Sequence, residues 1–295
     1  WYGIYSTTNN GESWIAKSNG LTSYKIISLV TDGINIFAGT NDAGVFRTTD
    51  NGENWFPVNN GLNSLDVKYL EIIDSKLFVV CYSEIEGIGG IFKSSDYGEN
   101  WIKVTTGLSD YRYPKMCAFG NDIYLCTGVS SGGIIVSKDF GENWSIIGST
   151  LPEYTSVSCL AINDSLIFAG LAYDGIYCSS NNGESWTAIN TGLPCLEINY
   201  LGIINNKIYA DVSGEGLYVS SNNGESWENV KFGDFIFFMK FLNSMIEISG
   251  VIWAGSVAGV FQSTDDGVTW KGINSGLISS NTYCLLIDDS NVYCG

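Results

Sequence analysis

The sequence predicts an all-β chain folded as a seven-bladed β-propeller, each blade a four-stranded antiparallel sheet. Three observations carry that expectation. An eight-residue motif recurs seven times, its closing tryptophans 41 to 46 residues apart. A second motif, Gly-apolar-aromatic, keeps step just ahead of each copy. The chain starts on one half of a repeat unit (WYGIYSTT) and stops on the other half (NVYCG). Self-similarity at this period is the mark of a repeat architecture, and four-stranded units arranged radially make a propeller.

Within a unit the elements follow in order. The first strand, A, enters from a turn such as NNGL, TTGL or TGLP. The second, B, is a short apolar run: NIFAG, KLFVV, DIYLC, LIFAG, KIYAD, VIWAG or NVYCG. The third, C, opens at Gly3, Gly44, Gly90, Gly133, Gly175, Gly216 or Gly259. The motif follows on the C–D turn, and D is the few residues after its tryptophan. Strands this short, split by Gly/Asn/Asp/Ser turns and without helical periodicity, argue for β structure throughout. The blades are expected at about 21–60, 61–106, 107–149, 150–191, 192–232 and 233–275, with 276–295 completed by 1–20 in a single domain. A ring closed this way leaves no open sheet edge.

The motif reads Ser/Thr-x-Asp/Asn-x-Gly-x-x-Trp. Its hydroxyl stands at Thr7, Thr48, Ser94, Ser137, Ser179, Ser220 and Ser263. Its third position is Asn9, Asp50, Asp96, Asp139, Asn181, Asn222 and Asp265. Four Asp and three Asn at one position fit a side-chain oxygen that caps its own turn, bonding backbone N–H groups two residues on. They fit a catalytic carboxylate or a calcium ligand poorly, because Asn would abolish either role. The glycines, Gly11, Gly52, Gly98, Gly141, Gly183, Gly224 and Gly267, supply positive φ. The tryptophans, Trp14, Trp55, Trp101, Trp144, Trp186, Trp227 and Trp270, are expected to cover the turn and pack on a neighbouring strand. A glutamate follows six of the seven glycines, with Val268 in the seventh copy; it reads as a solvated, solubilising rim.

Composition narrows the function. A net charge of −17 repels phosphate backbones and anionic headgroups, which disfavours nucleic acid and membrane surfaces as partners. The wholly apolar runs, such as Phe235–Met239, are about five residues long, far too short to span a bilayer. The chain has no histidine, so the commonest general base and metal ligand is missing. No catalytic residue, metal or cofactor is expected.

The motif resembles the Asp-box, or BNR, repeat shared by sialidases, xyloglucanases, the sortilin family and photosystem II assembly-factor-like propellers, and the resemblance covers the whole chain. It implies the propeller fold but spans several functions. The sialidase resemblance implies three substrate-clamping arginines, whereas this chain has only Arg47 and Arg112. The xyloglucanase resemblance implies two carboxylates in a cleft between two propellers, and this length allows one ring. The assembly-factor resemblance implies a single non-enzymatic ring with a basic patch, but the basic residues here are scattered. The wording NIFAGTNDAGVFRTTDNGENWFPVNNGL is most similar to propellers of secreted or surface proteins of Bacteroidetes-type bacteria, where the ring is a binding or spacer module in a longer chain. The expected role is therefore a non-enzymatic, extracellular or cell-surface module (the periplasm being the alternative) that binds a protein or a neutral glycan. A polysaccharide hydrolase or lyase and an assembly factor for a membrane protein complex are the alternatives.

In a propeller the D–A and B–C loops share one face and the boxes lie toward the other. Segments that depart from the repeat are the candidate ligand contacts. They are CYSEIEGIGG, with Tyr82, Glu84 and Glu86; LSDYRYP, with Tyr111, Arg112 and Tyr113; and LPEYTS, with Glu153 and Tyr154. FIFFMKF, at residues 235–241, reads as the buried A strand of its blade. The eight cysteines form no CxxC. Cys294 and Cys126 occupy positions where other repeats carry Ala or Gly, which marks small buried sites. Cys117 with Cys126, and Cys284 with Cys294, are the candidate disulfides.

Overall fold

In the computed structural model the chain forms seven four-stranded antiparallel sheets, with no helix among the described residues. The described residues are 3–83, 88–104, 115–126, 133–153, 155–163, 166–230, 241–279, 281–288 and 291–295. Blade 1 runs Ile26–Thr31, Ile36–Thr40, Val45–Thr48 and Phe56–Pro57, as strands A to D. The A strands of blades 2 to 6 are Val67–Ile73, Lys115–Phe119, Val157–Ile162, Ile198–Ile204 and Leu242–Ile248. Blade 7 takes A and B from Leu285–Asp288 and Asn291–Cys294, and C and D from Tyr5–Thr7 and Ile15–Ala16. Tyr5 pairs with Cys294 and Thr7 with Val292, so the first and last strands share one sheet.

The core is divided into seven layers, each between two adjacent blades. Trp55, Phe46, Ile36 and Ala38 of blade 1, for example, pack with Ile4, Tyr293 and Cys284 of blade 7. The central residues of the B strands are buried, throughout Ile36–Thr40 and Ile167–Leu171, which is why these strands read as apolar runs. Burying one large apolar side chain in such a layer contributes about 1.5–3 kcal/mol, so each interface between blades is substantial in its own right.

Two expectations need correction. The A strand of blade 6 is Leu242–Ile248, not the aromatic run before it. Residues 235–240 of that run lie outside the described residues, and Phe241 is 52% exposed rather than core. All eight cysteines are free. Antiparallel pairing sets Cys117 opposite Tyr124 and Cys126 opposite Lys115, so the two thiols are offset along the ladder. Cys294 likewise pairs with Leu285 rather than Cys284.

One irregularity shapes the axis. The A strands of blades 1, 2, 4, 5 and 6 each shift register at their entry, between Ile26 and Ser28, Val67 and Tyr69, Val157 and Cys159, Ile198 and Tyr200, and Leu242 and Ser244. A bulge inserts one unpaired residue and re-aims its side chain. The inserted residues include Lys68, Asn199 and Asn243, and all three line the axial cavity.

Candidate functional site

The repeated boxes are occupied with their own main chain. In every copy the Ser/Thr hydroxyl donates to the Asn/Asp Oδ1 at 2.7–2.9 Å. The same hydroxyl accepts the box glycine's N–H at 2.8–3.1 Å. Oδ1 also accepts the N–H four residues on, at 2.7–3.1 Å, rather than the N–H two residues on that an Asx turn would use. The residue before each glycine and the glycine itself both have positive φ, for instance Asn51 at 55° and Gly52 at 81°. That is the twist a tight hairpin needs.

Five tryptophans carry the box into the next contact. The indole N–H of Trp14, Trp55, Trp101, Trp186 and Trp227 donates to a carbonyl of the preceding blade, at Ile273, Lys17, Val58, Ile147 and Ile189, over 2.7–3.0 Å. Trp144 and Trp270 instead bond the glycine carbonyl of their own box. The glutamate rim is partly engaged as well. Glu53 pairs with Lys17, Glu99 with Arg47 at 2.9 Å, and Glu142 with Lys93 at 2.9 Å, each partner on the preceding blade. Such exposed pairs contribute little to stability.

The seven boxes thus brace hairpins and blade junctions, and the residues that break the repeat gather elsewhere. Strand direction puts the D–A and B–C loops at the opposite end from the boxes. There an axial cavity of about 930 Å³ is lined by the A strands. Asp211 stands where NIFAG, LIFAG and VIWAG carry glycine. Its Oδ2 accepts the Leu242 N–H at 3.2 Å and the Asn199 amide at 3.3 Å. Burial nevertheless pushes its carboxyl up to about 6, against those two bonds. The Lys115 ammonium donates to the Asn199 carbonyl at 3.3 Å. The Asn243 amide donates to the Thr282 carbonyl at 2.9 Å. Deeper in, the Tyr69 hydroxyl donates to Glu71 Oε2 at 3.0 Å, and burial raises the Glu71 carboxyl above its ordinary range. Around the mouth the same loops expose Tyr24, Leu65, Tyr173, Leu196, Val257 and Ile278.

Of the residues expected to contact ligand, Tyr82 lies one residue before the end of strand B of blade 2 (Lys76–Ser83), paired with Gly89 and half-buried on this face. Glu153 is exposed in the D–A loop leading into blade 4. Glu84, Glu86, Tyr111, Arg112, Tyr113 and Tyr154 lie outside the described residues. Asp211 and Glu71 were missed by the sequence reading although each had a signal. Aligned repeats show a carboxylate in a glycine position and another in the apolar second half of an A strand, LEII. Among the described residues, no three His, Cys, Asp or Glu side chains gather as a metal site.

Residues 72–212 match the DUF6242 beta propeller domain. A search of curated proteins returns no match. Among solved structures, the chain is similar over its full length to YCF48 bound to a D1 peptide, at TM-score 0.71 and 16% identity, covering 95% of that chain. It is similar over 97% of its length to the GH74 xyloglucanase from Xanthomonas campestris, at TM-score 0.69 and 14% identity, where it covers 53% of that chain. It also superposes over its full length on 40% of the extracellular domain of a hybrid two-component system from B. thetaiotaomicron, at TM-score 0.70 and 12% identity. These identities speak to the shared fold.

Proposed function

We propose that the chain is a non-enzymatic binding module that recognises a protein segment on its D–A/B–C loop face, in an extracellular or cell-surface setting. The observation that carries this reading is the division of labour between the two faces. The repeated polar residues are used up in bracing hairpins, while the departures from the repeat (Lys115, Asn199, Asp211 and Asn243) converge at one mouth rimmed by exposed apolar side chains. Apolar anchors around a few fixed polar groups suit a protein partner. The surface extends in this proposal to the loops holding Tyr82, Glu84, Glu86, Tyr111, Arg112, Tyr113, Glu153 and Tyr154. A propeller of this fold binding a peptide, as in the YCF48 complex, supports the reading without assigning the partner. A neutral glycan is the second ligand class, favoured by the exposed rings of Tyr24, Tyr173 and Phe241.

Selection of peptides from a random display library, with an oligosaccharide panel run in parallel, tests this. Binding should fall at least about tenfold for Leu196→Asp and Tyr24→Ser, and stay unchanged for Ile15→Ser on the outer D strand of blade 7. Loss through Ile15→Ser alone would move the site off the loop face. Oligosaccharide turnover abolished by replacing one carboxylate would overturn the non-enzymatic reading.

A further inference from the structure

The interior of the axial cavity has its own chemistry, separate from the loop rim. Pairing places Glu71 opposite Phe78, level with Val30, Cys117, Ala161, Gly202, Ile246 and Leu286 on the other six A strands, each opposite its blade's corresponding aromatic. Glu71 is thus the one carboxylate in a ring of small and apolar side chains. One step nearer the mouth, Tyr69 of blade 2 and Tyr200 of blade 5 occupy equivalent positions, opposite Val80 and Asp211. Blades three apart in a ring of seven face each other across the axis. Tyr200 folds over Gly202, so tightly that a Cβ there would stand 2.7 Å from its hydroxyl.

A carboxylate placed in apolar surroundings costs free energy unless a counter-charge meets it. Among the described residues none does. The neighbouring ammonium groups are committed elsewhere, Lys68 to Asp66 Oδ2 at 2.9 Å and Lys115 to the Asn199 carbonyl. Among the described residues, Glu71 accepts hydrogen bonds only from the Tyr69 hydroxyl and from the N–H of its neighbour Ile72, which leaves room on the carboxylate. Both Tyr69 and Tyr200 line the same open cavity as Glu71.

We propose that the axial cavity is a binding site for an organic cation, an ammonium or guanidinium group, held by the Glu71 carboxylate as counter-ion between the Tyr69 and Tyr200 rings. Carboxylate and aromatic faces are the two groups that attract such a cation, through charge-assisted hydrogen bonds and the ring quadrupole. A metal ion would need more oxygen or sulfur ligands than Glu71 supplies. The net charge of −17 raises the local concentration of any cation at the mouth. The cation is either a free small amine or the side chain of a lysine or arginine on a partner.

Isothermal titration of the whole chain with n-butylammonium, ethylguanidinium, n-butanol and a blocked tripeptide carrying one lysine tests the site. Wild type should prefer each free cation over n-butanol by about tenfold or more. Glu71→Gln, which keeps the shape and a hydrogen-bond acceptor for Tyr69, should erase that preference, and Tyr200→Leu should weaken it several-fold. Binding of the free cations alone supports a small-amine ligand, and binding of the tripeptide as well supports a side chain carried by a partner. Equal affinity for n-butylammonium and n-butanol in wild type overturns the proposal, a result that does not depend on any variant folding. A tripeptide that binds equally well to Glu71→Gln also overturns it, while leaving the loop-face reading intact.

Discussion

Within each box, Asp and Asn at the third position are matched by the residue four places on. Asn9, Asn181 and Asn222 face Ser13, Ser185 and Ser226, and the asparagine amide donates to the serine hydroxyl at 2.9–3.0 Å. Asp50, Asp96 and Asp139 face Asn54, Asn100 and Asn143, whose amides donate to the carboxylate at 2.7–2.9 Å. Asp265 receives the Thr269 hydroxyl instead. Donor and acceptor have exchanged places together. Asp50→Asn alone should therefore set two amide donors against each other. Flipping Asn54 to relieve this would break the bond it accepts from Asn19 at 2.7 Å. The thermal midpoint should drop by about 1–3 °C and recover when Asn54→Ser is added; equal loss in the double variant would refute the pairing. The bonds to Asp50 hold its carboxyl down at about 2, chiefly those from Asn54 and Thr48, so this box loses its support only as pH falls toward that value. Asp211 has the opposite sign. Its folded-state value near 6 exceeds the ordinary 3.8, so its relative stabilisation is complete below about 4 and is lost as pH rises through 6. Denaturant melts at pH 4 and 7 should show Asp211→Asn gaining on wild type by on the order of 3 kcal/mol across that interval; parallel curves would contradict it.

Among elements, the blade junction is held as much by turns as by strands. Gly20 and Gly33 have nearly the same positive φ, 89° and 87°. Gly20 lies in the D–A turn against the next blade, where a Cβ would stand 2.3 Å from the Trp55 carbonyl oxygen; Gly33 has nothing within 4 Å. Gly33→Ala should cost about 1 kcal/mol of backbone strain, and Gly20→Ala at least ~3 kcal/mol because the neighbouring blade must also shift. Equal costs in urea melts would show that the turn does not couple blades. The strands differed in how plainly they could be read. B and C strands and the box hairpins were legible because composition, turn residues and period agree there. The A strand of blade 6 was not: FIFFMKF is more apolar than LNSMIEI, in which only Leu242 and Met245 are buried, so hydrophobicity alone chose the wrong segment. The entry bulges left no period to detect, yet they aim Lys68, Asn199 and Asn243 at the axis.

At the scale of the whole molecule, the ring explains why a candidate site could be only half read. Closure was foreseeable, because two half-units at the ends complete one sheet, and Tyr5–Thr7 pairs with Asn291–Cys294 as that requires. The cavity exists only once seven A strands meet, joining Tyr69 and Glu71 to Tyr200, well over a hundred residues away in sequence. Substitutions such as Asp211 for glycine were visible in the aligned repeats, but their common destination was not. The charge pattern adds a field to this geometry. Residues 139–206 contain no lysine or arginine and seven acidic residues, of which Glu153, Asp174 and Glu197 lie in D–A and B–C loops and make that side of the mouth negative. The two faces should therefore behave differently toward a partner. Hydrogen–deuterium exchange of the chain with and without a display-selected peptide compares them directly. Slowed exchange in the D–A loops and A-strand entries, at 193–198, 241–245 and 281–285, with the boxes unchanged, is the predicted result. Protection centred on the boxes, with the loop face unaffected, would contradict the account.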